Sequence, residues 1–259
     1  MRWLSVFGAV AFALAASPVF AAPVSAEADY LLSLGGINIA TASVGLEDDG
    51  SHYALKIDAH VSGLGNLVST GMAQIEASGS SAGRTLESQQ FDLLTHTGND
   101  DFKVNVQFAR GSVAAFEVTP PLLDNINRVP IERSQLTGVG DLVSAFVLKG
   151  QGLDQALCDH RFHIFTGVER FDLTMSYLRD DKATSLRTGY QGPLVQCRLK
   201  YTPISGHFTT SETTNYLAKS DQLFVWYAPL GTSGYFIPYR VLIATSMGDL
   251  SMVLTGLKG

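Results

Sequence analysis

From Ala28 onward, apolar and polar residues alternate with a period of two over one segment after another, the pattern of strands that bury one face. Tyr30, Leu32 and Leu34 alternate up to Gly35-Gly36, and Ile37 to Leu46 follows, which predicts a hairpin around a diglycine turn. After the turn Glu47 to Ser51 the pattern is clearest. Tyr53, Leu55, Ile57, Ala59 and Val61 fall on one face, and His52, Lys56, Asp58 and His60 on the other. Gly63-Leu64-Gly65-Asn66 breaks the run. Further strands are predicted at Leu67 to Ala77, Thr85 to Thr95, Phe102 to Ala109 and Ser112 to Val118, each bounded by turn residues.

Pro120-Pro121 ends this first half. Residues 120 to 137 read as a long, partly extended connection that crosses over the sheet, with Pro130 placed where no ladder donor is needed. One helix is predicted next: Asp141 as N-cap, Leu142, Val143, Phe146 and Val147 on one face, and Gly150 in the left-handed position that closes it. The second half returns to strands at Phe162 to Thr166, Glu169 to Arg179, Thr184 to Tyr190, Leu194 to Pro203, Gln222 to Ala228, Tyr235 to Thr245 and Leu250 to Leu257. Thr210 to Lys219 reads as a loop or a short helix. The fold class is therefore all-β: a large twisted antiparallel sheet or half-open β-barrel with one or two short helices. No alternating β-α order points to a doubly wound enzyme fold.

The first residues break the strand pattern. Arg2, the apolar run Leu4 to Ala16 and Val19-Phe20-Ala21 compose a signal peptide, with cleavage expected after Ala21 and, as second choice, after Ala26. The apolar run is shorter than the ~20 residues a membrane-spanning helix needs, so no transmembrane helix is expected after cleavage. The expected organisation is a signal peptide at 1–21 and a single β-rich periplasmic domain at 22–259. Without residues 1–21 the chain carries one Arg fewer than its 18 basic residues, against 24 acidic ones. An acidic balance of that kind argues against nucleic acid or an anionic surface held by a general electrostatic field.

Export changes the reading of the two cysteines. In an oxidising compartment Cys158 and Cys197 read first as one disulfide, which by chain entropy contributes roughly 4 kcal/mol for a loop of this length. The competing reading is a metal site built from Cys158, His160 and His163, although their spacing is not a standard zinc pattern.

Other chemistry is sparse. Gly79-Ser80-Ser81-Ala82-Gly83 matches the Gly-x-Ser-x-Gly nucleophile elbow formally, yet it lies among small residues with a strand expected after it, where the elbow requires a helix. His52, His60, His96, His160, His163 and His207 form no paired metal pattern, and His52 and His60 belong on a solvated strand face. Asp100-Asp101 and Asp180-Asp181 sit at turns. Neither a phosphate-binding glycine loop nor a dinucleotide fingerprint occurs, and no cofactor is implied. The aromatic block is more informative: Leu223 to Tyr227 and Tyr235 to Tyr239 bracket a Gly-containing turn and carry aromatics on both faces. Either this is a hairpin buried on both sides, or Phe224, Trp226, Tyr235, Phe236 and Tyr239 line a concave apolar groove for a lipid-like ligand or partner segment.

Several motifs in order carry a family resemblance: Asp141-Leu142-Val143-Ser144-Ala145, Cys158-Asp159-x-Arg161, Val168-x-Arg170-Phe171-Asp172-Leu173, Tyr190-x-Gly192-Pro193 to Cys197, Tyr201-x-Pro203-Ile204-Ser205-Gly206-His207 and Ile237-Pro238-Tyr239-Arg240. Together with the Tyr30 to Gly45 hairpin they resemble the periplasmic bacterial domain-of-unknown-function family 3108 (DUF3108). The resemblance implies an exported, mostly antiparallel β domain of the cell envelope and carries no activity onto particular residues. It also implies that Cys158 and Cys197 pair. The expected function is a non-enzymatic envelope protein that binds an apolar ligand or a partner segment on a concave sheet face. The alternatives are an integral outer-membrane β-barrel and a periplasmic hydrolase with a site built from loops.

Overall fold

A computed structural model describes residues 23–62, 71–123, 125–245 and 247–259. The expected signal peptide and the Gly63 to Asn66 break lie outside the described residues. Among the described residues, fourteen strands and one α-helix follow in chain order: β1 Val24–Leu34, β2 Ile37–Asp48, β3 His52–Val61, β4 Gly71–Ser80, β5 Glu87–Thr97, β6 Asp100–Ala109, β7 Ser112–Thr119, β8 Leu148–Lys149, β9 His160–Phe165, β10 Arg170–Ala183, β11 Gly192–Ser205, α1 Glu212–Lys219, β12 Leu223–Pro229, β13 Tyr235–Thr245 and β14 Gly248–Lys258. They build one antiparallel sheet in the order β7-β6-β5-β4-β3-β2-β1-β14-β13-β12-β11-β10-β9, with β8 added against β13. The sheet is thus two meanders, β1–β7 and β9–β14, joined where the first strand pairs with the last. It does not close into a barrel.

The period-two pattern finds its cause in the register. Ala26, Leu46, Leu55, Ala77, Phe91, Val106 and Phe116 stand opposite one another across seven neighbouring strands. Being on one face, they present a continuous apolar row, and five of them enter the first core cluster with Tyr53, Phe108 and Val113. The β1–β2 hairpin turns on Gly35 and Gly36, whose φ angles of 55° and 82° are those a two-residue type I′ turn requires. His52 and His60 lie exposed on the opposite face of β3.

Alternation fades in β12 and at the start of β13 because both faces are covered there. Along β12, Leu223, Val225 and Tyr227 enter one core cluster while Trp226 and Ala228 enter another. The Cys158–Cys197 disulfide, with Cα atoms 5.5 Å apart, ties the short 3-10 turn Gln155–Cys158 to the middle of β11 inside the first of these. Cys158 therefore has no thiolate to offer the alternative metal reading.

The connection after β7 crosses to the end of β11, where Arg128 bridges to Phe208. Arg128 donates from Nε to the Gly206 carbonyl at 2.7 Å and from Nη2 to the Val168 carbonyl at 2.8 Å. Gly206 holds φ +83°, and a Cβ there would stand 2.1 Å from the Val168 oxygen. That close approach accounts for the glycine in the Ser205-Gly206-His207 motif.

Two expectations are corrected. The helix expected from Asp141 to Gly150 is a single 3-10 turn, Ser144–Phe146, because Leu148 and Lys149 leave it to pair with Phe236 and Tyr235 of β13. Sheet hydrogen bonds outcompete a helix that would carry β-branched Val143 and Val147. The strand expected at Thr184 to Tyr190 is a loop, turned on itself by Thr188 bonding to the Ser185 carbonyl and fastened to β14 through Gly189 N–H to Leu254 O at 3.1 Å. The segment Thr210 to Lys219 resolves into α1, capped by the Ser211 side chain on the Thr214 N–H.

Replacing Cys158 by Ser is expected to lower stability by about 2–4 kcal/mol in urea melts. Dithiothreitol should lower the midpoint of the wild type by a similar amount and leave the variant unmoved; a wild type indifferent to the reductant would contradict a structural role for the disulfide.

Candidate functional site

An open sheet of this size has two edges, β7 and β9, with unpaired backbone groups. The chain returns residues 137–140 between them. Thr137 bridges Ser112, Val139 N–H donates to Gly111 O at 3.0 Å, Gly140 N–H donates to His163 O at 2.9 Å, and Phe165 N–H donates to Gly140 O at 3.0 Å. The rings of Phe116 on β7 and Phe165 on β9 meet edge to face at 5.1 Å. Held at this seam, the following residues 141–149 enter the concavity of the sheet.

Two buried carboxylates anchor that segment. Asp141 is 1% exposed and accepts from the Val143 and Ser144 N–H groups, both at 2.8 Å, just ahead of the 3-10 turn. Its second oxygen accepts from Ser88 Oγ of β5 at 2.5 Å, and Tyr53 of β3 bonds Ser144 Oγ at 2.7 Å. Asp48, at the end of β2, accepts from Ser81 Oγ at 2.6 Å, from the Gly50 N–H at 2.7 Å and from the Tyr235 hydroxyl. Lys149 completes the group, donating to the Ser81 carbonyl and lying over the Tyr235 ring at 5.3 Å. Burial alone raises the Asp48 pKa, but the three hydrogen bonds and the Lys149 charge outweigh it and hold the carboxyl below its usual range.

This arrangement disposes of the formal nucleophile motif. Ser81 is fully buried, and its hydroxyl is spent on a carboxylate. Nothing in its bonding activates it as a nucleophile.

The structure distributes the five aromatic candidates over three clusters and brings Phe224, Trp226 and Tyr239 together. Tyr235 belongs to the first core cluster, Phe236 to the disulfide cluster, and Trp226 and Tyr239 to the third, with Phe224 half-buried at its margin. Trp226 Nε1 donates to Asp181 at 2.8 Å, and the Arg240 guanidinium lies over its ring at 5.3 Å. Tyr239 donates to Thr188 at 3.2 Å. These polar ends are used in holding strands and loops together.

Segment 141–149 instead separates two clefts that the sequence does not single out. One, of about 80 Å³, lies between the concave face of β1–β3 and β14, the start of β13 and the inserted segment. Ala28, Val44, Leu46, Leu55, Phe146, Ile237 and Met252 are among its walls, and among the described residues no charged side chain lines it. Its one polar side chain, Tyr30, donates its hydroxyl to the Pro238 carbonyl at 2.8 Å. Val44, Phe146 and Met252 are half-buried, so the cleft reaches solvent. The other cleft, of about 570 Å³, runs along the β7–β9 seam between turn 84–88, the β6–β7 turn, the inserted segment and the edge of β9. His160 and His163 line it. Burial lowers the His160 pKa against the pull of Asp159, and His163 Nδ1 lies 2.8 Å from Asp172.

The fold and these clefts define an open antiparallel β domain with an apolar hollow under an inserted loop. The family model described as "Protein of unknown function (DUF3108)" matches residues 29–255, and the chain belongs to that family. A solved structure titled "Crystal Structure of Beta-barrel-like Protein of Domain of Unknown Function DUF1849 from Brucella abortus" is similar at 12% identity, covering 91% of this chain and 97% of that one, with a TM-score of 0.49. No curated protein matches the chain.

Replacing Asp48 by Ala is expected to cost about 3 kcal/mol, since it strands the Ser81 and Tyr235 hydroxyls in the interior. The Asp48 contribution is complete above the ordinary carboxylate pKa of about 4 and is lost as pH falls through the lowered folded value. In denaturant melts the gap between wild type and D48A should therefore be smaller at pH 3 than at pH 7, without closing, since a protonated Asp48 still bonds Ser81 and Tyr235; a gap that persists unchanged would remove the charge from the account.

Proposed function

We propose that this protein is an exported, non-enzymatic domain of the cell envelope that holds the end of an apolar, lipid-like ligand against the concave face of its sheet. The observation that carries this reading is the cleft walled by β1–β3, β13, β14 and Phe146, which among the described residues no charged side chain lines and whose only polar side chain, Tyr30, is already bonded. An apolar surface left open to water is unfavourable, and covering it with hydrocarbon recovers roughly 25 cal/mol for each Å². At about 80 Å³ the cleft accommodates the terminal carbons of a chain. It is far below the ~300–1,000 Å³ of a pocket that encloses a drug-sized molecule.

Export is supported by the charged and apolar N-terminal residues and by a buried disulfide, a bond that persists in oxidising compartments. Cleavage after Ala21 leaves β1 whole, whereas cleavage after Ala26 would remove Val24, Ser25 and Ala26, which pair with Asp48, Glu47 and Leu46. The buried Ser81 favours a binding role over a hydrolase. A lipid-embedded barrel closes through continuous strand pairing, so a β7–β9 seam bridged only by residues 137–140 favours a domain outside the bilayer.

Native mass spectrometry of protein gently released from cells is expected to show a bound amphiphile in addition to the chain. Met252→Lys, at the mouth of the cleft, should abolish it with little change in melting temperature. An apo mass for the wild type that also fails to take up added dodecanoate would reject the reading. N-terminal sequencing of the exported protein should begin at Ala22; a start at Glu27 would contradict the retention of all of β1.

A further inference from the structure

We propose that the ligand is an anionic amphiphile, whose phosphate or carboxylate head is held in the larger cleft at the β7–β9 seam. This rests on the apolar-ligand reading above and adds the chemistry of the other end. The chain as a whole is acidic, with 24 Asp and Glu against 18 Lys and Arg. The seam cleft reverses that balance. Among the described residues, Arg84, Arg110, Lys149 and Arg161 line it, against only Glu87 and Asp141.

The balance at the surface is more one-sided than the count. Asp141 is 1% exposed, with both oxygens engaged by the inserted segment and Ser88, so it faces the interior. Lys149 is committed to the Ser81 carbonyl and the Tyr235 ring. Arg84, Arg110 and Arg161 are exposed, and among the described residues none forms an ion pair or a side-chain hydrogen bond. Three free guanidinium groups thus face one hollow with a single exposed carboxylate, Glu87. Guanidinium groups bind phosphate and carboxylate through paired N–H donors, which makes such a hollow selective for oxyanions.

Arg110 is placed there at a cost. It is the one non-glycine residue at positive φ among the described residues, at 52°, in the two-residue turn it shares with Gly111. That position favours Asn, Asp or Gly, and an arginine there costs about 1 kcal/mol of backbone energy. The turn is closed without help from the side chain, which is left to point a charge at the seam.

The two clefts are neighbours. Val143 and Phe146 line the apolar one, Ser144 and Ala145 the basic one, and Val147 lines both. One segment of backbone therefore separates a site for hydrocarbon from a site for an oxyanion.

The test uses the mature protein and three probes below their micelle concentrations: dodecyl lysophosphatidylglycerol, the zwitterionic lysophosphatidylcholine of equal chain length, and inorganic phosphate. Isothermal titration is expected to give the anionic lipid about tenfold tighter binding than the zwitterionic one, the sum expected of three partly exposed ion pairs. The triple variant Arg84→Gln, Arg110→Gln, Arg161→Gln should erase that tenfold preference by weakening the anionic lipid far more than the zwitterionic one, and raising salt should do the same. Equal affinity for the two lipids in the wild type would overturn the inference and leave the apolar-ligand reading standing. Binding of phosphate without either lipid would overturn the amphiphile and assign the cleft to a free anion. Binding of no probe would overturn both.

Discussion

The rest of the structure depends on how the chain satisfies the two edges of its own sheet. Strands β7 and β9 are the ends of a row that does not close, and their free backbone groups would otherwise template association with other chains. Residues 137–140 stand between them and bond to both, so the seam is filled by a connection where a barrel would have a strand pair. This choice has a geometric consequence. The chain leaves the seam heading into the concavity, and everything between Asp141 and Lys149 must then be accommodated inside.

Accommodation requires polar partners, because an inserted loop brings backbone groups that no ladder satisfies. Asp141 takes two of its N–H groups, Ser88 and Tyr53 supply bonds from the sheet, and β8 continues the segment as a short ladder on β13. Asp48 does the equivalent work one layer away, tying the β2–β3 turn, the buried Ser81 and Tyr235 together beside Lys149. Both carboxylates are buried and fully bonded, the condition under which burial of a charge is tolerated. Anchoring of the loop fixes the wall that the two clefts share, with Val147 lining both.

The alternation in the sequence predicts nearly all of the strands, because each strand of the first meander buries one face and therefore shows its period. The disulfide is legible for a different reason: only two cysteines exist. What sequence reasoning missed is what depends on contacts distant in the chain. Leu142, Val143, Phe146 and Val147 carry helical spacing, and only the presence of Tyr235 and Phe236 alongside makes the segment extended. Thr184 to Tyr190 mimics a strand, while its backbone turns on Ser185. The aromatic block shows both outcomes of one ambiguity: residues on both faces of β12 and β13 are apolar because both faces are core, and a run of that kind cannot say which face, if either, would be a groove. The basic cleft had no sequence signal at all, since Arg84, Arg110 and Arg161 come from three unrelated turns and edges.

The location of the clefts follows from the same topology. Joining two meanders through β1 and β14 brings the small side chains of β1, Ala26 and Ala28, under the inserted loop. Phe146 reaches toward them without filling the space. On the other side of the loop, the turns at 84–88 and 110–111 and the start of β9 all end at the seam, and turns are where charged side chains remain exposed. A sheet that had closed would have placed a β7–β9 strand pair along this line, leaving neither the inserted loop nor the basic hollow. The seam, filled by a connection where a barrel would pair strands, is thus the part of the architecture from which the inserted loop and both clefts follow.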